Sequence, residues 1–307
     1  MKLRRLRRLQ SLFFVTVVLI LPGCGGGASS SNGSTTASGG SGSSQPVFGH
    51  VFLLLEENHS YSDVIGSSSM PYFNSLALQY GLSAQYFADT HPSIGNYFML
   101  TTGEVETNDD AFSGVVSDDN IVRELSNAGK TWKCYAESLP VAGYTGNDQY
   151  PYFKHHNPFA YLSDVVNDSS QAANMVPFTQ LSSDLANHAL PNFSFIVPNA
   201  LDDAHDGTLE QADAWLQQNI QPLVASPQFQ SDGLLIITFD EAEDSDTAHG
   251  GGHVATIIVS ARGKPAYQSQ ALYQHQSVLR LILSSLGVSA FPGEAASAPS
   301  MQEFLQN

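Results

Sequence analysis

The chain has 307 residues and carries 29 Asp and Glu against 12 Lys and Arg, a formal charge of −17. Five of the basic residues lie within Met1–Arg8, so beyond Cys24 seven basic side chains face all 29 acidic ones, a balance of −22. A field of that sign opposes nucleic acid and anionic membrane surfaces, and a phosphorylated ligand would need a cation to supply local positive charge.

In chain order, the basic start is followed by the apolar run Leu12–Leu21 and then by Leu21-Pro22-Gly23-Cys24. Residues 1–23 read as a signal peptide, too short for a comfortable membrane span. Its ending resembles a bacterial lipobox. That implies an exported lipoprotein acylated at Cys24, anchored to a membrane facing the periplasm or cell surface; ordinary cleavage and secretion is the alternative. Residues 24–45 are almost only Gly, Ser, Ala, Thr and Asn after the cysteine. Such a composition cannot bury a core and reads as a flexible tether, with membrane attachment through the lipid alone. One large domain is expected over 46–307. With Cys24 acylated, Cys134 has no partner for a disulfide within the chain.

Within the domain, His50–Leu55 is continuously apolar, as expected of a central strand buried on both faces. Met70–Tyr80 has helical spacing and stops at Gly81; Leu82–Ala88 reads as a strand, and Asn96–Thr102 as a helix ended by Gly103. Asn120–Ala128 is an amphipathic helix ended by Gly129, and Lys130–Ala136 a returning strand. Ser138–Met175 shows no periodicity and is rich in Tyr, Pro, Asn and His, a pattern of loops laid over a sheet edge. Phe193–Val197 is a short strand, and Thr208–Leu223 a helix with capping-box spacing between Thr208 and Gln211. Gly233–Phe239 and Val254–Ser260 are strongly apolar strands, and Gln274–Leu286 is a helix stopped by Gly287. Strands alternating with helices predict an α/β/α sandwich around a largely parallel sheet. No internal repeat is present.

In sheets of this kind sites form at the carboxyl ends of strands, and Glu57, Asn199 and Asp240 each lie just past such an end. Two acidic segments, Glu56-Glu57-Asn58-His59 and Asp240-Glu241, follow buried strands without basic neighbours. If they converge they repel unless a cation sits between them; taken singly, Glu57 and Asn58 also suit a turn or helix cap. Between them in sequence, Thr90-His91-Pro92-Ser93 offers a hydroxyl ahead of a helix whose amides could face an incoming phosphate. A serine hydroxyl needs a metal or a base to become a nucleophile. Asn96 could hydrogen-bond a phosphoryl oxygen, or simply cap its helix. His253 follows three glycines that permit close backbone approach, and His205 adjoins Asp206. His91 and His59 suit orienting roles and His275, at a helix start, a structural one. No Gly-x-Ser-x-Gly elbow occurs, which counts against an α/β-hydrolase.

These motifs resemble the bacterial phosphoesterase family that includes acid phosphatases and phospholipases C, within the alkaline phosphatase superfamily. The resemblance rests on Glu57-Asn58-His59-Ser60, His91-Pro92-Ser93-x-x-Asn96-Tyr97, Pro198-Asn199 with His205-Asp206, and Asp240-Glu241 with Gly251-Gly252-His253. It covers about Val51 to Gly287 and looks closest to the small secreted acid phosphatases. It implies an alkaline-phosphatase-like fold and a Ser93 nucleophile that forms a phosphoserine. It implies metal ligation by Glu57, Asn58, Asp240 and Glu241, with His253 added as a candidate. Asn199, His205 and Asp206 would meet the phosphate or a second metal. His155-His156-Asn157-Pro158-Phe159 resembles a stretch near the active site, with a histidine suited to protonating the leaving group. Two positions depart from the family pattern: Gly95 stands where proline is frequent, and Glu241 where aspartate or histidine is frequent.

The expectation is therefore a metal-dependent phosphomonoesterase acting on small phosphate esters outside the cytoplasm. The same residues would serve a phosphodiesterase of the phospholipase C type, and a surface binding protein without turnover is a third reading. Oxygen-rich ligands suit Ca, Mg or Mn, while the histidines keep Zn or Fe open. No nucleic acid partner is expected.

Overall fold

The computed structural model describes residues 46–306, so the readings of residues 1–45, including Cys24, lie outside the described residues. Its centre is β1 (His50–Glu56), in which Val51 to Leu55 are entirely removed from solvent. A strand without alternation has to be covered on both faces, and this one is the middle of the sheet. The others are β2 (Gly81–Ser83), β3 (Trp132–Ala136), β4 (Met175–Pro177), β5 (Phe193–Val197), β6 (Gly233–Phe239), β7 (Thr256–Val259) and β8 (Tyr267–Ser269). Their spatial order is β4-β3-β5-β1-β6-β7-β2-β8. β7 pairs antiparallel with β6 and β2; every other pairing is parallel. The fold is thus the mixed α/β sandwich with a mostly parallel sheet that the alternation of elements predicts.

β1 pairs with β5 on one side and with β6 on the other, Leu54 lying opposite Ile196 and Ile237. All three strands run the same way, so their carboxyl ends open together. The residues that follow them, Glu57, Asn199 and Asp240, are brought to one edge of the sheet.

Several boundaries differ from the periodicity. The strand expected over Leu82–Ala88 shrinks to β2, followed by single bridges from Tyr86 to Tyr273 and from Phe87 to His253. Thr208–Leu223 breaks after Asn219, and a new turn starts at Gln221 with Pro222 inside it, because proline cannot donate to the preceding turn. The segment 138–175 is built from short turns of helix, among them Lys154–His156 and Pro158–Ala160, and ends in the edge strand β4.

Local chemistry accounts for the helix starts. Asn120 accepts from the amides of Val122 and Arg123 at 3.0 and 3.2 Å. Thr208 accepts from Gln211 N at 3.2 Å, but the Gln211 side chain reaches Asp202 instead of closing the box. Helix Pro71–Gln79 lacks a side-chain cap of its own. Buried Asp213, from helix Leu209–Asn219, supplies both oxygens to the amides of Tyr72 and Phe73 at 2.9 and 2.8 Å. Among the described residues, no helix is long and apolar enough to cross a membrane.

Candidate active site

Ser93 is the hinge of the site. It already has helical angles (φ −45°, ψ −48°) and its carbonyl receives the amides of Asn96 and Tyr97, so the helix Ile94–Thr102 begins on it. The hydroxyl donates towards Glu57 Oε2 at 3.2 Å and also lies 3.4 Å from Glu241 Oε1. Glu57 comes from the end of β1 and Glu241 from the end of β6. Asp240 completes the group: its carboxyl interacts with the side chains of Ser93 and Glu57, and its Oδ1 accepts the Asn58 amide at 3.2 Å. Asn58 makes that contact from φ +59°, a left-handed conformation that asparagine tolerates better than most residues.

Glu57 and Asp240 are fully buried and Glu241 nearly so. Burial, then neighbouring carboxylates, pushes Glu57 well above the ordinary carboxyl range. Burial likewise takes Asp240 up to about 6, and burial with the adjacent Asp240 charge takes Glu241 up to about 10. Two carboxylates about 4 Å apart repel by roughly 4 kcal/mol at an effective dielectric of about 20. The group is therefore stable only when protonated or bound to a cation. Asp240 Oδ2 is buried without a hydrogen-bond partner, and that orphaned oxygen in a group with the Glu57 carboxyl and the Ser93 hydroxyl fits a divalent ion.

The cleft above Ser93 has a volume of about 380 Å³ and is lined by Asn58, Pro92, Ser93, Asp110, His205, Glu241, Glu243 and Asp244. It contains no Lys or Arg. The ion-paired basic side chains lie elsewhere: Arg123 on Asp164, Lys133 on Asp184 and Arg262 on Asp232. Asp110 Oδ1 accepts the Ile94 amide at 3.2 Å, so a carboxylate sits where the helix start was expected to receive phosphate.

His156 is brought in as predicted from the irregular segment, but to a buried place. Its ring stacks on Tyr97 (5.3 Å, 6°), and its Nδ1 lies 3.4 Å from both Glu57 Oε1 and Asp203 Oδ2. Burial holds it well below the ordinary imidazole range, hence neutral. His155 stacks on Phe153 and faces Asp148 at 3.5 Å. His205 is the histidine on the cleft wall, with Nδ1 2.9 Å from Asp206 Oδ1.

Three predicted residues are placed differently. The Asn96 side chain is consumed by the chain before Ser93: Oδ1 accepts from Asp89 N and Thr90 N, and Nδ2 donates to Thr90 O at 2.8 Å, reaching Glu241 at 3.5 Å. Asn199 organises its own loop, accepting from Leu201 N and donating to Ser138 and Asp202. His253 does not join the acidic group. Its ring is packed between Tyr61 (4.3 Å) and Phe87 (4.8 Å), and Nε2 lies 3.2 Å from the Ala84 carbonyl. The glycines before it serve another purpose: a Cβ on Gly250 would stand 1.9 Å from Asp89 O, and one on Gly251 2.4 Å from Thr90 O. They let that loop press on the segment leading to Ser93. Gly95 is equally constrained, since a Cβ there would meet Asn108 and Thr90 at 2.4 and 2.5 Å.

The sequence motifs include Tyr97 without a role for it and leave out Asp203 and Asp244. Asp203 is buried, its Oδ2 has no hydrogen-bond partner, and it groups with Glu57 and His156. Tyr97 donates its hydroxyl to Glu57 Oε1. Asp244 groups with His91 and Glu241, and a third set joins His59, Asp63 and Glu243. In each set of three the ligand atoms lie within 4.8 Å of one another. The signal for Asp203 was present in Asp202-Asp203-Ala204-His205-Asp206, a run of acids past the end of β5.

Comparison with known proteins agrees with this geometry. Residues 67–289 match the model of the Phosphoesterase family. A phosphatidylinositol-3-phosphatase of Mycobacterium tuberculosis is 32% identical over 265 residues, covering 85% of this chain and 84% of that protein. A probable acid phosphatase of Kluyveromyces lactis is 34% identical over 205 residues, 64% of this chain and 48% of that protein. An acid phosphatase of Aspergillus fumigatus is 29% identical over 257 residues, 78% and 55%. The chain thus spans about half the length of these fungal relatives. Among solved structures, an alkaline phosphatase superfamily protein from Vibrio parahaemolyticus has a TM-score of 0.58 at 13% identity, over 85% of this chain and 72% of that one. The phosphonate monoester hydrolase of Silicibacter pomeroyi reaches 0.55 at 14% identity, over 83% and 76%. The chain belongs to the Phosphoesterase family and is a hydrolase of phosphoric esters on the alkaline phosphatase fold.

Proposed function

We propose that the protein is a metal-dependent phosphomonoesterase that works through a phosphoserine at Ser93. The observation that carries this reading is a serine hydroxyl between Glu57 and Glu241 in a cleft lined by carboxylates without any Lys or Arg. A dianionic phosphate cannot enter such a cleft against its own charge. Glu57, Asn58, Asp240 and Glu241 would hold the ion. When bound, the ion supplies the positive charge that lowers the Ser93 hydroxyl pKa and neutralises the phosphoryl oxygens.

The chain's own groups divide the remaining work. Glu57 orients the Ser93 hydroxyl and accepts its hydrogen bond. Ser93 Oγ passes its proton to Glu57 as it attacks phosphorus in line, and the ester oxygen departs as the alcohol with a donated proton. Water later cleaves the Ser93–phosphorus bond, releasing inorganic phosphate and returning a proton to Oγ. His205 is the best-placed proton donor for the leaving oxygen, because it lines the cleft and Asp206 holds its Nδ1, so that Nε2 of the protonated ring would donate. The acid role thus moves from His155 and His156, which are buried. The acidic wall favours small neutral alcohols over polyanionic headgroups as leaving groups, although the mycobacterial relative is named for a phosphoinositide.

The test is hydrolysis of p-nitrophenyl phosphate across pH 4–10 by the purified 46–307 domain, after chelation and then with each divalent metal added back. Activity that returns with one metal supports the reading. Activity unaffected by chelation refutes metal dependence, and faster cleavage of bis-p-nitrophenyl phosphate would make the enzyme a diesterase. We also propose that the enzyme acts outside the cytoplasm, held by a lipid on Cys24 and the 24–45 tether. Mass spectrometry finding a mature N-terminus other than acylated Cys24 would refute that anchoring.

A further inference from the structure

Glu241 presents its two oxygens to two different places. Oε1 lies 3.4 Å from Ser93 Oγ, and Oε2 lies 3.0 Å from His91 Nδ1. On the far side of its ring His91 is committed: Nε2 is 2.9 Å from the Asp246 carbonyl. A carbonyl only accepts, so Nε2 carries a proton, and the tautomer this contact selects has its lone pair on Nδ1. Nδ1 is buried and has no hydrogen-bond partner, although the Glu241 carboxyl is 3.0 Å away. Closeness without hydrogen-bond geometry is how two ligands of one ion stand, and a histidine fixed by a backbone carbonyl through its other nitrogen is how ligating imidazoles are held. Asp244, exposed on the loop after β6, brings a carboxylate oxygen within 4.8 Å of a ring nitrogen of His91 and a carboxylate oxygen of Glu241. Around a divalent ion with ligands at about 2.1–2.5 Å, donors stand up to about 5 Å apart.

We propose a second divalent-cation site formed by His91 Nδ1, Glu241 Oε2 and Asp244, beside the ion of Glu57, Asn58 and Asp240, with Glu241 shared between the two. The inference rests on the metal-dependent reading above for the first ion but not for its own ligands. An imidazole with two carboxylates favours Mn, Zn or Fe over Ca or Mg. Asp244 and Glu241 both line the cleft with Ser93, so an ion there would lie within the cleft that receives the substrate phosphate. Filling it would also convert the most acidic part of the wall into a phosphate-binding surface.

The test is the number of Mn2+ ions bound by the chelated and repleted domain, counted by isothermal titration and by elemental analysis after gel filtration. Wild type is to be compared with Asp244→Asn, an exposed change that leaves packing intact, and with His91→Phe. Thermal melts serve as the check on folding. The expected result is one equivalent less in each folded variant, with the remaining uptake retained. Equal uptake in all three proteins overturns the proposal and makes His91–Glu241 an ordinary ion pair. Loss of all uptake in folded Asp244→Asn also overturns it, because the ligands would then belong to a single centre. No uptake by wild type refutes both this site and the metal-dependent reading.

Discussion

The Tyr97 hydroxyl donates to Glu57 Oε1 while Ser93 donates to Glu57 Oε2. Both donors sit on the same helix, one at its start and one a turn later, so a single helix fixes both oxygens of a carboxyl delivered by β1. The Tyr97 ring is itself clamped by His156 stacked on its face. The arrangement sets the orientation of Glu57 before any ligand arrives.

Tyr97→Phe keeps the ring and removes only that donor. A buried oxygen left unpaired costs about 1–3 kcal/mol, which urea unfolding of the metal-free domain will read. The turnover number should fall about tenfold or more, with KM less affected, because Glu57 is then free to rotate away from Ser93.

Ser93→Ala should lower turnover of p-nitrophenyl phosphate by about 10³-fold or more. The thermal midpoint should stay close to that of wild type, since the hydroxyl's contacts are two long bonds to carboxylates that burial tends to protonate. Full activity in the purified mutant would contradict the phosphoserine.

Asp203→Asn tests a residue that no motif singled out. Its carboxyl lies beside His156 and in the group that includes Glu57. Replacing it should weaken Mn2+ binding about 10- to 100-fold in isothermal titration, with a smaller effect on the fold. Unchanged affinity would mean that Asp203 only organises the loop through its bond to the His205 amide.

The site also sets a pH dependence of stability. Glu57, Asp203, Asp240 and Glu241 all have folded pKa values above their unfolded ones, chiefly through burial. Such groups stabilise the fold fully below the unfolded carboxyl pKa, and the contribution is lost as pH rises through the folded values. Buried His156 works the other way, but only below the ordinary imidazole range. Between pH 7 and 9 the carboxyls therefore dominate, and the chelated domain should lose thermal stability steadily. Added divalent cation should restore more at pH 9 than at pH 7, because ligation requires the deprotonated form. A chelated protein whose melting point is flat across that range would show that the carboxyls are not held protonated.

Asp213→Ala separates stability from chemistry. It removes two hydrogen bonds to the start of helix Pro71–Gln79 and should cost about 2–4 kcal/mol in denaturant unfolding, with turnover per folded molecule unchanged.

By itself the sequence determined the sandwich, the central strands and the loops that carry chemistry. Short apolar runs bounded by turn residues read as buried strands, and glycines and caps punctuate the helices between them. It also marked Glu57, Ser93 and Asp240 as residues past a strand or at a helix start; that Glu57 and Asp240 share one end of the sheet follows from the parallel pairing of β1 with β6. It could not place short edge strands such as β4 and β8, whose three residues carry too little pattern and are fixed by their neighbours. Glu56 and Glu57 are chemically identical in the sequence. Strand alternation turns them to opposite faces, so that Glu57 meets Ser93 and Tyr97 while Glu56 is left with no hydrogen-bond partner. The three-glycine run pointed at His253, yet its consequence lies across space, where it lets the loop close on Asp89 and Thr90. Asp203, His156 and Tyr97 come from three distant segments, and their meeting around Glu57 is decided only by how those segments pack over the ends of β1 and β5.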